Sequence, residues 1–167
     1  MMRLALVVFI FALLFVLPIR LASKNLMKVA FLLWFAGGLS LLTLGVTRLL
    51  DVAAPGEMGL LPMAAMIVGA VIIGYGKGKF VLSKTSSKNI ERLQEFSEPQ
   101  KLSNVYSTRS WVIIAIMFAL SASLTLFGVD TFWRGGVNLA IGLALLISSL
   151  RYLSAITADP MKSFQAL

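Results

Sequence analysis

The chain contains no cysteine and no histidine. The first absence removes disulfides, thiolate nucleophiles and cysteine-ligated zinc or iron–sulfur sites. The second removes the commonest metal ligand and the commonest general base at neutral pH. Acidic residues are also scarce: seven Asp and Glu stand against fifteen Lys and Arg, for a net charge of +8. None of the seven falls in the middle of an apolar run, where proton- and ion-coupled transporters usually keep one. Only 13% of residues are charged, about half the share of a soluble domain. These gaps argue against an enzyme, a coupled pump, and a metal or cofactor held by side chains.

What is present is apolar and segmented. Hydrophobic residues make up 59% of the 167 positions. They fall into five runs, at residues 4–21, 29–47, 60–76, 111–129 and 135–153. Each is about long enough, at about 1.5 Å per residue, to cross a hydrocarbon core of about 30 Å as a helix. Continuous rather than alternating apolarity favours helices over a β-barrel. The expected fold is therefore a single all-α transmembrane domain of about five spans, residues 1–167.

All cations except Arg3, Arg48 and Arg134 fall in three places: residues 20–28, residues 77–109 and the C-terminal end. With an N-out, C-in arrangement all three face the cytoplasm, as the positive-inside rule requires. The same charges argue that the first run is an uncleaved span rather than a signal peptide. The expected location is a bacterial inner membrane. Anionic inner-leaflet lipid, rather than nucleic acid, is the natural counterpart of the positive charge.

Residues 77–109 form the only polar stretch large enough for an extramembrane element. Leu82, Ile90, Leu93 and Phe96 could share one face of a short amphipathic helix, lying on the inner leaflet with Lys77, Lys79, Lys84, Lys88 and Arg92 toward anionic lipid or a cytoplasmic partner. A solvated linker whose cations only fix topology is the competing reading.

Two hairpins look alike. LSLLTLGV at 39–46 resembles SASLTLFGV at 121–129, and AMIVG at 65–69 resembles NLAIG at 138–142. Two repeated hairpins plus an N-terminal helix would give this pattern, and so would chance similarity among apolar segments. Gly74, Tyr75 and Gly76 evoke a potassium-channel filter but end an ordinary span rather than a re-entrant loop. Gly76 to Lys79 lacks the leading glycine and the Ser/Thr of a phosphate loop.

Small residues recur four apart: Ala36 and Ser40, Ala65 and Gly69, Ala70 and Gly74, and the row Ala140, Ala144 and Ser148. Such stripes let helices approach closely in lipid. The fifth-span row, with Asn138 beside it, is expected to be buried against another helix of this chain or of a partner. Trp111 and Trp133 suit the inner and outer interfaces, and Trp34 lies about a turn deeper. The composition best fits a non-catalytic accessory, assembly or scaffold subunit that packs against other membrane helices or a second copy. A passive transporter, channel or lipid-handling protein is the other class.

Overall fold

The structure, a computed structural model, describes residues 19–53 and 59–157. Apart from its last residues, the first apolar run lies outside this range. The chain forms a two-residue strand β1 (Arg20–Leu21), then helix α1 (Ser23–Ala53). Helix α2 (Leu60–Gly76) runs without a break through a π-helical turn (Lys77–Leu82) into α3 (Ser83–Gln94). Strand β2 (Gln100–Lys101), a 3-10 turn (Leu102–Val105), α4 (Thr108–Leu126) and α5 (Thr131–Thr157) follow. Three helices are long and apolar enough to cross a membrane: Ser23–Ala53, Leu60–Gln94 and Thr131–Thr157. A shorter apolar helix, Ser110–Leu126, accompanies them.

Local chemistry sets the helix ends. Ser107 caps α4, its hydroxyl accepting from the Ser110 amide at 3.3 Å. At the other end Gly128 takes a left-handed φ of 63°. Val129 N–H then donates to Leu124 O at 3.1 Å and Gly128 N–H to Thr125 O at 3.3 Å, closing a Schellman motif. Asp130 starts α5, its carboxylate accepting from the Phe132 amide at 2.7 Å.

Helix α5 lies at the centre. It runs antiparallel to α1, and their backbones touch at glycines seven residues apart on each helix. A Cβ on Gly142 would stand 2.5 Å from Leu42 N and 2.8 Å from Gly38 O. A Cβ on Gly45 would stand 2.6 Å from Leu139 N and 2.9 Å from Gly135 O. No side chain fits at these positions. The gain is close dispersion contact along the whole seam, each atom pair contributing about 0.1–0.2 kcal/mol.

Helix α2 lies parallel to α5 on another side. Ala70, Gly74 and Gly78 face α5, with Gly74 against Ala140 and Gly78 against Ala144. A face repeating every four residues drifts around an ordinary helix. The π-turn absorbs one extra residue, so that Leu82, Ser86, Ile90 and Leu93 continue to point inward. Its Gly78 carbonyl accepts from the Ser83 amide, from Ser83 Oγ at 2.7 Å and from Ser148 Oγ at 3.1 Å.

Several expectations change here. The span expected to end at residue 76 continues as helix to Gln94. The amphipathic helix exists, but its apolar face is not turned to the leaflet: Leu82, Ile90 and Leu93 are buried in the bundle's own core. Their neighbours there are Leu26, Met27, Ala30 and Trp34 of α1, Val105 and Tyr106, and Leu145 and Tyr152 of α5. The look-alike hairpins have unlike environments. Gly45 sits in mid-helix against α5, whereas its counterpart Gly128 ends a helix, displaced by the extra Phe127. Gly142 touches α1, whereas nothing lies within 4 Å of a Cβ on Gly69. The tight packing runs between α5 and the pair α1 and α2, rather than within hairpins.

Gly142→Ala should therefore lower the melting temperature in detergent sharply, by the equivalent of at least about 2 kcal/mol, because backbone must move. Gly37→Ala, where a Cβ meets nothing within 4 Å, should be neutral or stabilising by up to about 1 kcal/mol. Equal melting temperatures for the two variants would contradict the seam.

Candidate functional site

The sequence-selected residues separate into four places. Ala140 faces α2, and Ala144 and Ser148 face the π-turn that continues it. Ala144 and Ser148 are buried, and Ala140 is half-buried against Gly74. Asn138 is buried on α5, one turn before Gly142. This row is occupied by the chain's own long helix.

Ala65 and Gly69 lie on the opposite side of α2. Ala65 is exposed, and neither Gly69 nor Gly76 has any atom within 4 Å of a built Cβ. At helical spacing Ala65, Gly69, Ile72 and Gly76 form one stripe, turned away from the Ala70, Gly74 and Gly78 face. Ile72 and Val68 on this side are also exposed.

Lys77, Lys79, Lys84 and Lys88 are all exposed on the long helix. Lys79 donates to the Tyr75 hydroxyl at 3.3 Å and lies over the Tyr75 and Phe80 rings. Arg92 separates from them. Its guanidinium donates to Asn104 O at 2.6 Å and to Asn89 Oδ1 at 3.2 Å, and stacks 5.5 Å from the Phe96 ring. It is half-buried in a protein contact rather than presented to lipid.

That contact belongs to a polar junction at the lysine-rich end, which the sequence reading passed over. Asn89, 2% exposed, sits among apolar neighbours on the inner face of α3. Its Nδ2 donates to Val105 O at 2.9 Å and to the Tyr152 hydroxyl at 3.1 Å. Its Oδ1 accepts from the Ser107 amide at 3.1 Å as well as from Arg92. Buried Ser86 lies beside the same Tyr152 phenol. Tyr106 donates to Ala30 O at 2.9 Å. One amide side chain thus joins α3, the 3-10 turn, the cap of α4 and α5, while Tyr106 adds α1. The only legible signal was an asparagine in register with Leu82, Ser86 and Leu93.

Aromatic rings close the junction. Trp34 lies 6.4 Å from Tyr106 and 6.1 Å from Tyr152, and Trp111 meets Tyr106 edge-on at 5.3 Å. Trp111 donates its indole N–H to Ser103 O at 3.3 Å. Trp133, at the other end, is 60% exposed, as an interfacial anchor requires. Burial pushes the Tyr106 phenol well above its usual range, with the neighbouring Tyr152 adding to the shift. It therefore remains a neutral donor. Among the described residues the junction's hydrogen bonds join amide, hydroxyl, guanidinium and backbone groups. Among the described residues no three Asp or Glu converge as a metal site.

An open groove of about 370 Å³ lies beside the junction, lined by Ser87, Ile90, Glu91, Arg151, Ser154 and Ala155. It lies between α3 and the C-terminal part of α5. No protein-family model, curated protein or solved structure matches the chain.

Asn89→Ala should leave the Ser107 amide, Val105 O and the Tyr152 hydroxyl without their partner and destabilise by about 2–4 kcal/mol. Tyr152→Phe removes one bond of the set and should cost about 1 kcal/mol. Chemical denaturation in micelles, followed by tryptophan fluorescence at Trp34 and Trp111, measures both. Equal costs would remove Asn89 from the centre of the junction.

Proposed function

We propose that this chain is a non-catalytic multipass membrane protein, an accessory, assembly or scaffold subunit that binds another membrane helix through the open face of α2. The supporting observation is the contrast between the two sides of that helix. Ala70, Gly74 and Gly78 are filled by α5, whereas Ala65, Gly69 and Gly76 offer an equally close approach that no described residue takes. In lipid such a stripe gains little from acyl chains and much from a second helix backbone. The exhausted Ala140, Ala144 and Ser148 row is not the docking face in this reading.

The proposed topology has five spans, the N-terminus outside and the C-terminus inside a bacterial inner membrane. The lysine-rich end is then cytoplasmic, with Arg48 and Arg134 at the outer edge. Because Ser86 is fully buried, the exposed Lys88 is the position to probe. On this naturally cysteine-free chain, Lys88→Cys should resist an impermeant maleimide added outside intact cells and react after permeabilisation.

The docking face is tested with a photo-crosslinking residue at Gly69 in native membranes, and with one at Leu32 as a lipid-facing control. The expected result is a discrete protein adduct from Gly69 alone. A Gly69→Leu variant should keep the wild-type melting temperature yet migrate as a smaller species on native gels. Lipid adducts only, with unchanged migration, would refute the docking face.

A further inference from the structure

We infer that Lys77 and Lys79, on the π-turn, bind the phosphate-bearing headgroup of an anionic phospholipid, drawn below the ordinary headgroup plane. The inference rests on the membrane-spanning reading above and is independent of any partner helix. Its basis is depth. The glycine contacts fix the axial register of the three long helices. Gly78 lies against Ala144, and Gly142 lies against Gly38. From Ala144 to Arg151, the next cation on α5, is about 10 Å of helix, and from Gly38 to Lys28 on α1 about 15 Å.

Cationic residues bound an apolar slab on both of those helices. It extends from Lys28 to Arg48 on α1, about 30 Å, and from Arg134 to Arg151 on α5, about 26 Å. The two lengths agree with one hydrocarbon layer. Leu49 lies against Gly135, which places their neighbours Arg48 and Arg134, and so one boundary, at a common level. Lys77 and Lys79 therefore sit well inside the slab, on a surface that no described residue covers.

A lysine stem spans only part of the distance to the headgroup layer. Two cations at that depth favour an anion that can be pulled inward, and a lipid phosphate is already tethered there. Among the described residues neither lysine meets a carboxylate. Lys79 donates to the Tyr75 hydroxyl and lies over the Tyr75 and Phe80 rings. Lys84, exposed further along the helix, lies nearer the headgroup layer. Phe80 and Val81, both exposed between the lysines, suit the acyl chains of the same lipid.

The test is thermal unfolding of the full chain in dodecyl maltoside with added dioleoyl phosphatidylglycerol, dioleoyl phosphatidylcholine or inorganic phosphate. Phosphatidylglycerol should raise the wild-type melting temperature by several degrees, saturably, and the other two should not. The Lys77→Gln/Lys79→Gln pair should lose most of that rise. Lys77→Arg/Lys79→Arg and the control pair Lys24→Gln/Lys101→Gln should keep it. If the double Gln variant folds poorly, the single variants carry the test, each losing part of the rise. An equal rise in wild type and Gln variants, or no rise in wild type, would overturn the site. A rise with inorganic phosphate alone would overturn its assignment to lipid. The Gly69 crosslink reports separately on the partner helix, so either conclusion can fail without the other.

Discussion

The backbone contact between α1 and α5 is the constraint on which the rest of the bundle depends. Gly38 and Gly45 on one helix meet Gly142 and Gly135 on the other, and at Gly45 and Gly142 the facing backbone leaves no room for a side chain. In lipid, apolar side chains gain nothing by leaving one hydrocarbon for another. Cohesion must come from dispersion at short range, and glycines seven residues apart supply it on a single seam. Once that seam is closed, α5 has a fixed rotation. Ala140, Ala144 and Ser148 are thereby presented to the long helix.

The long helix has to follow α5 over more turns than an ordinary helix can keep in phase. The π-turn corrects the phase, and its freed carbonyl is satisfied by Ser83 and Ser148. The correction delivers Asn89 to the interior, where an unpaired amide would cost about 1–3 kcal/mol. Four different groups meet it instead. The same turn keeps Lys77 and Lys79 helical and exposed where hydropathy alone had ended the run. Packing, phase and the position of charge are thus parts of one arrangement.

Much of the architecture was legible. Within the described residues the apolar runs located the helices well, because hydrocarbon-length segments with satisfied backbones have few alternatives. The Ala140, Ala144 and Ser148 row was identifiable from spacing alone. The strongest seam was not, because its glycines are separated by seven residues and do not form the four-residue small-residue pattern. The continuation of α2 to Gln94 was hidden because lysines and glycines at 76–79 read as a membrane exit. The π-turn is set by contact with α5, a tertiary cause with no local signature. Arg92 was grouped with the lysines by charge, but geometry puts it on Asn89 and Asn104. The resemblance between hairpins rested on short apolar words whose glycines do different work in each place.

The central claim, that α1 and α5 touch backbone to backbone, is most directly tested by disulfide formation in native membranes. Leu42 and Leu139 lie along the seam and beside its glycines, and Leu42 packs against the core to which Leu139 belongs. With no native cysteine to interfere, the Leu42→Cys/Leu139→Cys variant should form an intramolecular disulfide rapidly under mild oxidant, seen as a shift in gel mobility reversed by reductant. The Leu42→Cys/Val68→Cys variant, which pairs the seam with an exposed position on α2, should not. Failure of the first pair to crosslink, or equal crosslinking of both, would contradict the account.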